Sequence, residues 1–186
     1  MANLIESVNG IVSSIKGAGD VAGAVVGAVS KTVAATLEGV GDLATSLMET
    51  TADVARGAIQ AAMEVGGDLG LAAKGVLLGV LRGTKAAGVE TLELISTTAG
   101  SVIKATASVA GDLGTAAKGL VEGAVEGAKE LGLDATEAAS AAATGALKAA
   151  GEVGAEAGQK VRNALTGTIA GVKVVLKEPF KATEKK

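Results

Sequence analysis

The side chains of this 186-residue chain that could do chemistry are carboxylates, lysines and hydroxyls, because it contains no histidine and no cysteine. Without those residues there is no imidazole base, no thiolate nucleophile and no ordinary transition-metal site. Glu122 and Glu126 would be neighbours on one face of a helix, but this composition is expected to produce such carboxylate pairs by chance. We therefore predict no catalytic, cofactor-binding or metal-binding residue, and a protein that is not an enzyme.

Glycine-rich segments could in principle hold phosphate, and the chain contains 28 glycines. The phosphate-loop pattern GxxxxGK[ST] does not occur, however, and no strand pattern precedes these segments. The net charge is −3, whereas nucleic-acid binders typically carry a stripe of basic residues. The sequence therefore predicts neither a nucleic-acid partner nor a small-molecule substrate.

The elements that would position these side chains follow an internal repeat. Gly111–Gly154 repeats Gly67–Ala110 without a gap, and Gly67-Asp68-Leu69-Gly70 returns as Gly111-Asp112-Leu113-Gly114. A fixed period sets the architecture before any local feature does. The period divides the chain into a partial repeat at 1–22, full repeats at 23–66, 67–110 and 111–154, a partial repeat at 155–176 and a polar tail at 177–186.

The 44-residue period divides further into rows of eleven that run from Met1 to Leu176. Eleven residues in three turns is close to the pitch of a straight α-helix, and the apolar columns then form one arc of nearly half the circumference. No segment alternates with period two, as a strand would. We predict an all-α protein of long, nearly straight amphipathic helices, about 66 Å for one 44-residue unit.

Helix ends must be predicted from glycine and aspartate, because the only proline is Pro179, which should end the last helix. A Gly-Asp pair can end one helix and cap the next. Since the eleven-residue phase survives each pair, we expect gentle kinks or in-phase turns there. The pairs are Gly19-Asp20, Gly41-Asp42, Gly67-Asp68 and Gly111-Asp112, with Gly66-Gly67 the strongest stop.

Several glycines are spaced by four, the spacing that forms a shallow groove in which two helix backbones approach closely. Their recurrence in successive repeats favours a packing role, although glycine could also be filler in a low-complexity chain. The predicted helix-packing glycines are Gly75, Gly79, Gly83, Gly119, Gly123 and Gly127.

The charges form a basic flank and an acidic flank along the predicted helix. Parallel copies laid side by side would place one flank against the other, although the charges could equally form a simple solvated face. The basic flank is Lys74, Lys85, Lys118, Lys129, Arg162 and Lys173. The acidic flank is Asp68, Glu90, Asp112, Asp134 and Glu156.

The eleven-residue rows resemble the amphipathic repeats of synucleins, perilipins, exchangeable apolipoproteins and late embryogenesis abundant proteins, over about residues 1–176. That resemblance implies a protein that coats lipid surfaces. The chain departs from the pattern because its lysines lie on one border of the apolar arc, and because it lacks the bulky aromatic residues that anchor interfacial helices. These departures favour self-association.

A single helix cannot cover its own apolar arc, so we expect a homo-oligomer of many subunits, such as a ring, tube or filament. Its apolar face could also hold lipid. The alternative is an amphipathic-helix coat on membranes or on lipid or storage granules. No signal peptide or transmembrane helix is predicted, which favours a protein that is cytoplasmic or peripheral to a membrane.

Overall fold

The computed structural model describes residues 9, 10, 13, 20–38, 43–85 and 91–176, and over these ranges it confirms the predicted all-α class. Seven helices and one small hairpin follow one another along the described chain. The helices are α1 Val21–Glu38, α2 Leu43–Glu64, α3 Leu69–Thr84, α4 Thr91–Ser108, α5 Leu113–Leu131, α6 Ala135–Val153 and α7 Ala155–Leu165. The strands are β1 Thr168–Ile169 and β2 Val172–Lys173.

Aspartates begin α3, α5 and α6, and Asp20 also accepts a hydrogen bond from the Gly23 N–H at 3.1 Å at the start of α1. The Gly70 and Leu71 N–H groups donate to Asp68 Oδ1 at 2.7 and 3.1 Å, and Asp112 and Asp134 cap α5 and α6 in the same way. Each carboxylate thus satisfies backbone donors that have no partner within the helix. The predicted breaks at Gly67-Asp68 and Gly111-Asp112 are confirmed, while Gly19 and Gly41-Asp42 lie outside the described residues.

The caps at Asp68, Asp112 and Asp134 each follow a tight turn made by one residue with positive φ. Gly66, Ala110 and Gly132 have φ values of 66°, 53° and 74°. The residue after each one donates its N–H to a carbonyl five positions back, as Gly67 does to Ala62 at 2.7 Å. This is the bonding pattern of a Schellman motif. It reverses the chain within a few residues, so that consecutive helices pack as antiparallel neighbours.

The helices stack in two layers. Each of the helices α1 to α6 packs most extensively on a helix two positions away in sequence, and α7 packs on α6 and also on α5. This places α1, α3, α5 and α7 in one layer and α2, α4 and α6 in the other. We call these the odd layer and the even layer. Helices within a layer run parallel, since Val25, Val29 and Val33 lie in order against α3. This is the arrangement of an α-solenoid, in which a repeat contacts only its neighbours.

The prediction of a straight helix for each 44-residue unit is wrong. Segment 67–110 contains α3 and α4, and segment 111–154 contains α5 and α6. The eleven-residue pattern continues through the turns without a shift. The pattern alone therefore cannot distinguish a turn of this kind from a continuing helix. The apolar arc is therefore covered within one chain, in a core that includes Val29, Ile59 and Leu120, all fully buried.

The C-terminal end of the described chain also differs from the sequence prediction. The last described helix ends at Leu165, and residues 168–173 form an antiparallel hairpin within the predicted partial repeat. Ala170 and Gly171 both have positive φ in its two-residue turn, as a type I′ turn requires. The predicted stop at Pro179 lies outside the described residues.

Helix α1 is the one described helix that could cross a membrane by length and composition, with a mean hydropathy of 1.3 over 18 residues. The same helix packs on α3 through Val25, Val29 and Val33, which are fully buried. An apolar helix of a protein core satisfies the same criterion, so this observation is weak evidence for a membrane span.

Candidate functional site

Glycines set the contact between α1 and α3. A Cβ atom on Gly75, Gly79 or Gly83 would lie 2.6–2.9 Å from the Cβ of a valine in α1. Real side chains essentially never approach so closely, so only glycine allows this helix spacing. The three glycines face Val25, Val29 and Val33, in that order.

The next contact in the odd layer is closer still. Gly119 of α5 lies directly against the backbone of Gly70 in α3, and a Cβ on Gly123 would lie 2.9 Å from the carbonyl oxygen of Lys74. A Cβ on Gly127 would meet the Leu81 side chain. All six predicted packing glycines are thus buried in contacts within one chain.

Ion pairs join neighbouring helices of the same layer. Arg82 of α3 holds Glu130 of α5 through two hydrogen bonds, Nε to Oε2 at 2.8 Å and Nη2 to Oε1 at 2.5 Å. This bond lowers the pKa of Glu130 and raises that of Arg82. Two further pairs between described helices are Lys74–Glu126 at 2.6 Å and Lys104–Glu152 at 2.7 Å.

The predicted acidic flank serves mainly to begin helices. Asp68, Asp112 and Asp134 are N-caps, and a backbone hydrogen bond from Thr115 is the main cause of the lowered pKa of Asp112. Glu156 pairs with Lys160 one turn along α7. Glu90 lies outside the described residues.

The predicted basic flank is divided between several elements. Lys74 is already paired with Glu126, and Arg162 is half-buried in α7. The remaining four are exposed, with Lys173 in the hairpin. Because the helices are separate, these residues do not form one continuous edge with the acidic set.

The two layers differ in charge. The helices of the odd layer hold seven basic and five acidic side chains, whereas those of the even layer hold three basic and six acidic ones. We call the exposed outer side of the odd layer the odd face, and it carries Lys118 and Lys129. The outer side of the even layer is the even face, which carries Glu93 and Glu137.

A row of three exposed glutamates crosses the even face, with one on each helix. Glu49, Glu93 and Glu137 are 44 residues apart, and none makes an ion pair with a described residue. This row was not predicted from the sequence, although the 44-residue spacing of the three glutamates is a signal that could have revealed it.

Beside this row lies a groove of about 520 Å³ between α4 and α6. Glu93 and Glu137 line it together with Leu92, Ser96 and Val175. Leu92 is 40% exposed and Val175 is 50% exposed. The groove therefore combines unpaired negative charge with apolar surface.

Over the described ranges, no group of three or more carboxylate side chains is arranged to hold a metal ion. The surfaces that the described helices build are repeating faces. The chain matches no protein-family profile, no curated protein and no solved structure.

Proposed function

We propose that the chain is a non-enzymatic structural protein that self-assembles into a homo-oligomer of many subunits. The observation that supports this function is the even face, where large apolar side chains remain exposed beside unpaired glutamates. Met48 is 48% exposed and Leu92 is 40% exposed, and they occupy equivalent positions 44 residues apart. Exposed apolar patches beside polar residues are typical of interaction sites.

The test is the solution mass by light scattering, with far-UV circular dichroism on the same lipid-free sample. We expect a strongly helical particle whose mass is several times 17.8 kDa, the mass of one chain. A helical protein that stays at the mass of one chain at every concentration would contradict the proposal.

A second function, a coat on a lipid surface, is favoured by one observation, the length and apolar composition of α1. A chain that coats lipid would have to expose the faces that now form the core, so it should show little helix in water. Adding neutral vesicles would then raise the helical signal several-fold. An unchanged helical signal argues for the assembled, lipid-free protein.

A further inference from the structure

We infer that the subunits assemble by placing the odd face of one copy on the even face of the next. This inference rests on the self-assembly proposed above and names the two surfaces that meet. The partner is a second copy of this chain, because the charges of the two faces complement each other. The odd layer has a surplus of basic side chains and the even layer a surplus of acidic ones.

The unpaired charges are distributed in the same way. Lys85, Lys118 and Lys129 are exposed in the odd layer and form no ion pair with a described residue. The glutamates at 49, 93 and 137 are their counterparts in the even layer. Most other charged side chains on both faces already have partners within the chain, such as Arg82 with Glu130 and Lys104 with Glu152.

The spacing of two members of each set matches as well. Lys85 and Lys129 are 44 residues apart, at the ends of the adjacent parallel helices α3 and α5. Glu93 and Glu137 are also 44 residues apart, in the first turns of α4 and α6. Adjacent packed helices are about 8–10 Å apart in either layer. Two lysines can therefore meet two glutamates at the same interval.

The groove on the even face suits lysine. The four-carbon stem of a lysine can lie on Leu92 and Val175 while its ammonium group meets Glu93 or Glu137 at the rim. Three helices of about 27 Å length at about 9 Å spacing give a face of roughly 700 Å². That is close to the roughly 800 Å² per partner of a standard stable interface.

Because the two surfaces differ, the contact is heterologous and leaves a free odd face and a free even face at the two ends. Such a contact adds subunits without limit unless a rotation closes the ring. The inference therefore predicts a mass that grows with concentration and falls with salt, since exposed ion pairs are screened.

The experiment reverses the charges of each face separately and then together. Variant E49K/E93K/E137K has two basic faces, and variant K85E/K118E/K129E has two acidic faces. Each should fall to the mass of one chain, 17.8 kDa, while keeping the helical signal. The chain with all six substitutions restores opposite faces and the original net charge, so it should recover the large mass.

The outcomes separate the inference from the proposed function. If the wild type is large and each triple variant keeps that mass, the odd-on-even contact is wrong but self-assembly stands. If both triple variants are monomeric and the variant with all six substitutions is monomeric too, the pairing of the two faces is wrong. A wild type that is monomeric throughout removes both proposals.

Discussion

Gly119 of α5 and Gly70 of α3 touch backbone to backbone, with no room for a side-chain atom at Gly119. We expect Gly119→Ala to destabilise the fold by about 1–3 kcal/mol, because overpacking of the buried contact exceeds the gain in helix propensity. Urea unfolding followed by circular dichroism measures this difference.

Gly27 provides the matched control, since it lies within α1 and no described side chain or neighbouring helix comes within 4 Å of the place that a Cβ would take. Gly27→Ala should raise stability by up to about 1 kcal/mol, because alanine favours the helix and restricts the unfolded chain. Equal effects of the two substitutions would show that close backbone approach does not determine where glycine is needed.

Ala110 is the one residue of the three tight turns that carries a Cβ at positive φ, 53°. The equivalent position one repeat earlier is Gly66. Because left-handed backbone costs an L-residue about 1 kcal/mol or more, Ala110→Gly should stabilise the protein by about that amount. A rise in melting temperature measures it, and a fall would show that the Ala110 methyl group contributes packing that outweighs the strain.

Deletions can distinguish the paired-helix unit from a continuous eleven-residue helix. Removing residues 67–110 joins Gly66 to Gly111-Asp112 and places Val25, Val29 and Val33 opposite glycines with the same spacing of four. We expect a shorter protein that still unfolds cooperatively, at a lower temperature because one repeat interface is lost.

The control removes residues 67–99, which preserves the eleven-residue phase but deletes α3 and leaves only the second half of α4. It should lose cooperative unfolding and much of its helical signal per residue in circular dichroism. Similar melting curves for the two deletions would argue that the eleven-residue phase, and not the helix pair, is the folding unit.

Acid should weaken the contact between α3 and α5. The hydrogen bond from Arg82 lowers the pKa of Glu130 below its ordinary value of 4.5. The bond therefore stabilises the fold above that value, and this contribution is lost as the pH falls through the lower folded-state pKa. Because the pair is partly exposed, we expect about 0.2–1 kcal/mol. Glu130→Gln should reduce the loss of stability between neutral and acidic pH.

Arg82→Gln is the partner control, because it removes the same bond and leaves Glu130 free to titrate near its ordinary value. Thermal melts of the three proteins from neutral pH to about pH 3 measure the differences. If all three lose stability in parallel, other carboxylates, such as the cap Asp112, determine the acid response.

The sequence predicted the helical class, the 44-residue period and the breaks at Gly67-Asp68 and Gly111-Asp112, because glycine and aspartate act locally. It did not predict the break in the middle of the repeat at Gly132, although Asp134 followed by Glu137 is a recognisable start of a helix. Asp134 falls instead in the predicted acidic flank, since the periodic phase continues through the turn.

The relative placement of distant residues was not predictable, since it depends on which helices become neighbours. Glu49, Glu93 and Glu137 are unremarkable charges along a single long helix. They become a row only because helices two positions apart pack side by side. The glycines stand out in the sequence as unusual, yet their spacing alone could not say whether their partner lay in the same chain or in another.

Because the unit repeats, the stack can be lengthened by adding units that reuse the same contacts between helices. Each added unit would widen both faces by about one helix spacing of 8–10 Å and bring one more lysine and one more glutamate into register. The valency of an odd-on-even contact would then rise in step with the number of units. If copies assemble in this way, the number of repeats would set how strongly two copies bind each other.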